Sequence, residues 1–139
     1  MEKEKEELQK MYFEIQMLDE QIKEIQKNLV ALDEQIVEIN NNIQALDDFK
    51  NTETGKSTYV VLAPGIFANA EIKNNRELLV NVGSNVAVKK SVDETKEMLK
   101  SRFDLIRQYR DRMMEQMQEA SIRASSIEQE INKKLKGNE

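Results

Sequence analysis

The sequence predicts an α+β fold, in which a long antiparallel two-helix coiled coil has two β-hairpins between its helices. Three observations predict it: an unbroken apolar heptad repeat early in the chain, a weaker repeat late in the chain, and four short β-like runs between them. We expect a single domain over residues 1–139. Its first helix should cover residues 1–50, its hairpins residues 51–90 and its second helix residues 91–139.

The first helix is predicted from apolar residues that recur with alternating spacings of three and four. All twelve positions of this repeat are aliphatic or methionine. A stripe with this period stays on one side of a helix and needs a partner helix to cover it. From Leu8 to Leu46 the helix would be roughly 58 Å long, too thin to bury the stripe by itself. The positions are Leu8, Met11, Ile15, Leu18, Ile22, Ile25, Leu29, Leu32, Ile36, Ile39, Ile43 and Leu46.

The partner helix is predicted in the same chain. Ser91 and Glu94 have the spacing of a capping box, in which a hydroxyl and a carboxylate satisfy free amides at a helix start. The apolar repeat after them is interrupted by Arg110 and ends near Leu135, and Gly137-Asn138 is a typical stop signal. Helices that leave the middle segment at one level would pair residues whose numbers sum to about 140. The repeat is Leu99, Phe103, Ile106, Arg110, Met113, Met117, Ala120, Ala124, Ile127 and Ile131.

The middle segment is predicted to form two hairpins, with turns at Ala63-Pro64-Gly65 and Gly83-Ser84-Asn85. Short strands with apolar residues on parts of both faces leave open edges and uncovered surface, so we expect this segment to join subunits. The β-like runs are residues 57–62, 66–72, 77–82 and 86–90. The residues expected at the joint are Tyr59, Val61, Leu62, Ile66, Phe67, Ile72, Leu78, Val80, Val82, Val86 and Val88.

The order of long helix, paired hairpins and long helix resembles the alpha class of prefoldin subunits, in its archaeal type, whereas the beta class has one hairpin. The run from Ala68 to Gly83 is similar to the family's small residue, charged-apolar-Lys, turn and apolar strand ending in Val-Gly. The run from Val86 to Ser91 is similar to its closing strand. Two turns differ from many members: Ala63-Pro64-Gly65-Ile66 replaces Pro-Val-Gly or Pro-Leu-Gly, and Gly83-Ser84-Asn85 replaces Gly-x-Gly.

The resemblance implies a molecular chaperone of the cytoplasm that binds unfolded polypeptides at its coiled-coil tips without ATP and passes them to a group II chaperonin. It also implies a hexamer of two alpha-class and four beta-class subunits. The residues themselves indicate only an oligomer built through residues 57–90. A second interpretation stays open, because an alpha-like paralogue that self-assembles into filaments, or a coiled-coil scaffold, would use the same hairpins.

Apolar residues outside the repeat are candidates for contact with clients. Phe13 and Met17 lie away from the first stripe, Tyr12 lies beside it, and Ile122 lies away from the second stripe. Near the chain ends they would form an exposed apolar surface suited to unfolded chains. Isolated exposed apolar residues are also common and need no function, so this alternative stays open. The candidate set is Leu8, Met11, Tyr12, Phe13, Met17, Ile122, Ile127, Ile131 and Leu135.

The composition argues against an enzyme, a cofactor or a metal. Histidine and cysteine are absent from the sequence, which removes imidazole bases, thiolate nucleophiles and the usual zinc ligands. The many carboxylates are expected on solvated helix edges, without a pocket to separate their pKa values. Lys50–Ser57 is one glycine short of a phosphate-binding loop, and it is expected to follow a helix and precede a strand, the reverse of what that motif needs.

The distribution of charge argues against nucleic acid and membranes as partners. Residues 1–50 have a net charge of −7, residues 51–91 of +2 and residues 92–139 of zero. No segment has the basic excess that phosphate contacts require, and no run approaches the roughly 18 apolar residues of a membrane span. We therefore expect protein partners alone, and the resemblance implies that these are beta-class subunits or copies of itself, unfolded clients and a group II chaperonin.

Overall fold

The computed structural model describes residues 1–137, so Asn138 of the predicted stop signal lies outside the described residues. The predicted order of helix, two hairpins and helix is confirmed, and each strand begins and ends within one residue of its predicted bounds. The elements are helix α1 (Glu2–Lys50), strands β1 (Ser57–Ala63), β2 (Ile66–Glu71), β3 (Glu77–Gly83) and β4 (Val86–Ser91), and helix α2 (Val92–Gly137).

The chain has two compact units. The first unit contains α1 up to Gln35 and α2 from Leu105 onward. The second unit, Ile36–Asp104, contains the end of α1, both hairpins and the start of α2. Each unit therefore has antiparallel helix segments, and the ion pairs in each keep the predicted register: Glu14 pairs with Arg123 in the first and Lys50 with Asp93 in the second.

In the first unit the predicted stripes form the core. Two alanines that thin the hydrophobic pattern of α2 are buried together with the isoleucines, so the stripe continues through them. Arg110 takes a stripe position but is half-buried, and its Nε donates to Asp33 Oδ1 at 2.7 Å. Its apolar stem can cover the stripe while its charge is neutralised at the edge. The buried residues are Ile25, Leu29, Ala120, Ala124, Ile127 and Ile131.

In the second unit the start of α2 has the serine half of the predicted capping box. The amide of Glu94 donates to Ser91 Oγ at 3.0 Å, which satisfies one of the free N–H groups at the helix start. The hydroxyl of Thr95, which is buried, donates to the carbonyl of Ser91 at 2.8 Å. Val92 and Leu99 are buried nearby in sequence, so the capped turn is also the first turn of the apolar core in this unit.

The hairpins are two separate antiparallel sheets of two strands each. In the first, Val61 pairs with Phe67, and the chain reverses at Gly65 with φ +75°. In the second, Val80 pairs with Val88. Its turn residues Ser84 and Asn85 have φ values of 51° and 60°, the left-handed conformation that two-residue hairpin turns require.

Candidate binding surfaces on the hairpins and the helix ends

The first hairpin has its large side chains on one face. Tyr59, Val61 and Phe67 share that face because Val61 pairs with Phe67 and side chains alternate along a strand. All three are between 59% and 70% exposed. The opposite face is made of smaller side chains that are half-buried: Thr58, Val60, Ala68 and Ala70. The chain therefore covers the small face of this hairpin and leaves the large one open.

The second hairpin exposes a residue that the sequence analysis did not include. Leu79 is 71% exposed, whereas Leu78 and Val80 on the opposite face are half-buried. Lys89 and Glu77 form an ion pair of 3.7 Å on the same face as Leu79. Adjacent leucines in a strand must point to opposite faces, and this signal alone indicated that one of them would face outward.

We use the name hairpin surface for the exposed apolar residues of the two hairpins. Eight of its nine members were predicted, and Leu79 is the addition. Both strands of a two-stranded sheet also have an open edge, which can pair with a strand of another chain. An apolar area of this kind is typical of a face that another protein covers. The hairpin surface is Tyr59, Val61, Leu62, Ile66, Phe67, Leu79, Val82, Val86 and Val88.

The paired helix ends carry a second exposed apolar group, which we name the helix-end surface: Tyr12, Phe13, Met17, Ile122 and Leu135. Its first four members are each more than half exposed. The ion pair between the neighbouring residues Glu14 and Arg123, Nε to Oε1 3.1 Å, places Phe13 and Ile122 at the same level along the helices.

The remaining residues of the predicted client set lie in or beside the stripe. Ile127 and Ile131 are only 2% and 4% exposed, because they continue the stripe of α2 and pack inside the helix pair. Leu8 and Met11 are half-buried. Leu135, where the repeat was expected to end, is exposed, so the buried stripe of α2 ends at Ile131. Of the predicted client set, only the five members of the helix-end surface are thus exposed while the helices remain paired.

An ion pair closes the helix pair beside the chain ends. Lys134 Nζ donates to Glu7 Oε2 at 2.5 Å. This hydrogen bond and the opposite charge hold the pKa of Glu7 below its ordinary value and raise the pKa of Lys134. The two residues line an open cavity of about 240 Å³ together with Glu4, Leu8 and Gly137. The cavity therefore has charged walls and one apolar contact.

Three further features concern metal ions, membranes and phosphate groups. Within residues 1–137 no group of three carboxylates is placed to hold a metal ion. In the same residues neither α1 nor α2 contains a stretch with the length and hydrophobicity of a membrane-spanning segment. The segment similar to a phosphate-binding loop follows α1 and precedes β1, and its Lys56 pairs with Glu53 at 2.6 Å. Its surroundings are thus the reverse of those that aim helix amides at a phosphate.

Known proteins share this sequence pattern over most of its length. The family model described as Prefoldin subunit matches residues 18–137. Prefoldin subunit alpha of Archaeoglobus fulgidus is 30% identical over 125 residues, which cover 90% of this chain and 91% of that protein. Prefoldin subunit alpha of Thermofilum pendens is 33% identical over 84 residues, which cover 60% of this chain and 65% of that protein.

A solved structure shares the fold. A chain from the cryo-EM structure of filamentous PFD from Methanocaldococcus jannaschii superposes with a TM-score of 0.79. The match covers 86% of this chain and 98% of that chain, at 15% sequence identity. At this identity the likeness concerns the arrangement of helices and hairpins and not the function.

Proposed function

The chain belongs to the prefoldin family, in its alpha class, and from this premise we propose that it binds unfolded polypeptides and passes them, without ATP, to a group II chaperonin. Prefoldins are chaperones and are not known as enzymes. The observation that carries the proposal is the helix-end surface, where four large apolar side chains are more than half exposed beside a filled stripe. A stable helix pair does not need these side chains outside its core.

The helix-end surface suits weak binding that tolerates many client sequences. Burial of one large apolar side chain contributes roughly 1.5–3 kcal/mol, and the contact has little directional preference. Met17 adds a flexible side chain that adapts to irregular apolar partners. Several copies in one assembly would raise the effective concentration of such surfaces around one client. Release would then come from client folding or transfer, because no step requires nucleotide hydrolysis.

The proposed assembly is a cytoplasmic hexamer of two alpha-class and four beta-class subunits, joined through the hairpin surface. Support comes from the open sheet edges and the exposed large face of the first hairpin. Closing these edges against neighbours would remove sites at which unrelated chains could add a strand. Transfer to the chaperonin is tested by loading an unfolded client on the assembly and measuring its recovery after a group II chaperonin is added.

The decisive experiment removes the helix-end surface and leaves the assembly intact. The triple variant Phe13→Ser, Met17→Ser and Ile122→Ser should bind a chemically unfolded client at least about tenfold more weakly, because even one lost apolar contact is worth more than the 1.4 kcal/mol of a tenfold change. Client binding is measured by fluorescence titration, and suppression of client aggregation by light scattering. Both should be independent of ATP.

The matched control changes three other exposed apolar residues, Val30→Ser, Val37→Ser and Leu105→Ser, which lie farther from the chain ends. This variant should suppress aggregation like the wild type. The mass of both variant assemblies is checked by light scattering after gel filtration. If the helix-end variant keeps wild-type client affinity, or if both variants lose it equally, client binding at the helix ends is refuted.

A self-assembled filament is the second candidate function. The exposed hairpin surface favours it, since the same apolar faces and open edges can join copies of one chain when the contact does not close into a ring. The solved structure with the same fold comes from a filamentous PFD. Electron microscopy of the purified chain, alone and with a beta-class subunit, separates the two. Filaments that persist with the beta-class subunit present would favour the structural role.

A further inference from the structure

The connector between the two hairpins is hydrogen-bonded to both helix ends of the second unit. At its start, the carbonyl of Ile72 accepts from the amide of Gly55, in the turn after α1, at 3.0 Å. At its end, the carbonyl of Arg76 accepts from the amide of Val92, the first residue of α2, at 3.0 Å. The connector, Ile72–Arg76, is thus held at the level where both helices meet the hairpins.

The side chain of Asn75 adds a third link from this connector. Its Nδ2 donates to the carbonyl of Lys50 at 3.1 Å and to the carbonyl of Thr52 at 2.8 Å. Lys50 is the last residue of α1, and Thr52 lies in the turn that leads into the first hairpin. Asn75 is half-buried, so a loss of these bonds would leave polar groups with reduced access to water.

Asn75 completes the C-terminal cap of α1. A helix leaves its last four carbonyls without partners inside the helix. Here the carbonyls of residues 47, 48 and 49 accept from the amide of Asn51, the hydroxyl of Thr52 and the amide of Thr52, at 3.2, 2.9 and 3.1 Å. The carbonyl of Lys50 accepts from Asn75, which is 25 positions away in the chain. The last partner of α1 is therefore supplied by the segment that joins the hairpins.

The neighbouring Asn74 has a different role. Its Oδ1 accepts from the amides of Arg76 at 2.8 Å and Glu77 at 3.3 Å, which forms a local turn at the start of β3. Asn74 bonds only within the connector and the first residue of β3, whereas Asn75 bonds to α1 and the turn after it. Asn74 therefore stabilises a local turn, whereas the adjacent Asn75 links parts of the chain that are distant in sequence.

We infer that Asn75 is a positioning residue for assembly, which fixes the two hairpins against the end of α1 so that both can meet neighbouring subunits at once. This inference rests on the proposed function of the hairpin surface. Without the link, the connector keeps its backbone bonds to Gly55 and Val92, but the end of α1 and the turn after it lose their bonds to the connector side chain. Each hairpin then has to be ordered during association, and the free-energy cost of this ordering weakens the association.

The test compares Asn75→Ala, Asn75→Asp and Asn74→Ala with the wild type. Removal of the two bonds should raise the concentration of half-assembly with a beta-class subunit roughly tenfold, as expected for one to two net hydrogen bonds. Asn75→Asp keeps the shape but places acceptor oxygens against two carbonyls, so its increase should be larger. Asn74→Ala should stay within about threefold of the wild type. Sedimentation velocity gives the masses, and far-UV circular dichroism gives the helix content.

The outcomes distinguish a role of Asn75 in assembly from a role in supporting the helix alone. Weaker assembly of both Asn75 variants, with the helix content of the free chain unchanged at the temperature of the assay, supports the inference. Wild-type assembly in these variants overturns it, and so does a loss of assembly that matches a loss of helix content, since Asn75 would then support only the helix. If the wild-type chain itself does not assemble through its hairpins, the proposed function fails before the role of Asn75 is reached.

Discussion

The helix segments and the hairpins treat their apolar residues in opposite ways. The helices bury theirs within the chain: Leu29 and Ile127 lie inside the helix pair. The hairpins leave theirs in solvent, with Tyr59 and Leu79 the most exposed of the large apolar residues in the strands. A coiled coil supplies its own partner when the chain folds back, whereas a two-stranded ribbon has no second layer to cover its outer face. The difference is the reason for proposing that the hairpins, unlike the helix pair, are covered by another chain.

The largest effect is expected from substitutions that place charges on the exposed apolar face of the hairpins. The double variant Val61→Asp and Phe67→Asp places charges on a facing pair of the hairpin surface. A buried unpaired charge costs about 3–5 kcal/mol. The protein concentration at which half of the chains are assembled should therefore increase at least a hundredfold. Sedimentation measures this change. The helix content of the free chain should not alter, and a normal oligomer in this variant would show that the hairpin surface is not the joint.

The next effect concerns the stripe of the helix pair. Ile127→Ala should lower the free energy of unfolding by about 2–5 kcal/mol, because the residue is almost fully buried and its loss leaves a cavity. Urea unfolding followed by circular dichroism measures it. Ile122→Ala, five positions earlier and exposed, should stay within about 0.5 kcal/mol of the wild type. Equal losses in the two variants would contradict the packing described for α2.

A smaller effect is expected at the junction of the two regions. Ser91→Ala removes the side chain that accepts from the amide of Glu94, and should cost about 1 kcal/mol of stability. Ser101→Ala, at an exposed position inside the same helix, should instead stabilise slightly because alanine is the better helix former. Thermal unfolding of the two variants distinguishes the loss of the cap hydrogen bond from the effect of replacing any serine of the helix by alanine. A Ser91 variant as stable as wild type would exclude the cap.

The smallest effect is expected from the Glu7–Lys134 ion pair, because Glu7 is exposed and Lys134 only half-buried, so that solvent weakens the attraction. The folded pKa of Glu7 lies below its unfolded value, so the contribution is present at neutral pH and is lost as the pH falls through the folded pKa. The folded pKa of Lys134 is raised, so the same contribution is lost as the pH rises through it.

The pH dependence is measured by thermal unfolding of Glu7→Gln and of its neighbour control Glu6→Gln. Wild type should exceed Glu7→Gln slightly at pH 7. The difference should vanish in strong acid and shrink in about 1 M salt, where the Debye length is about 3 Å. A difference that grows on acidification would have the wrong sign for a pair in which the carboxylate is the acceptor.

The sequence predicted the parts of the structure that depend on local preference and periodicity. The stripe of α1, the Ser91 cap and the four strands are all present, because each follows from spacings of a few residues. The exposed positions of Phe13 and Ile122 also followed from the stripes, since the residues that face a partner helix define those that do not. That clients bind there remains a prediction.

The tertiary structure decided which apolar face each hairpin covers and what holds the hairpins to the helices. Both faces of β3 carry leucine, so alternation could not tell that Leu78 would be half-buried and Leu79 exposed. Likewise Ile127 satisfied both a stripe and a client-binding interpretation, until packing placed it inside the helix pair. The bond from Asn75 to the end of α1 has no sequence signature, because contacts between distant residues depend on how whole elements pack and not on the preferences of neighbours.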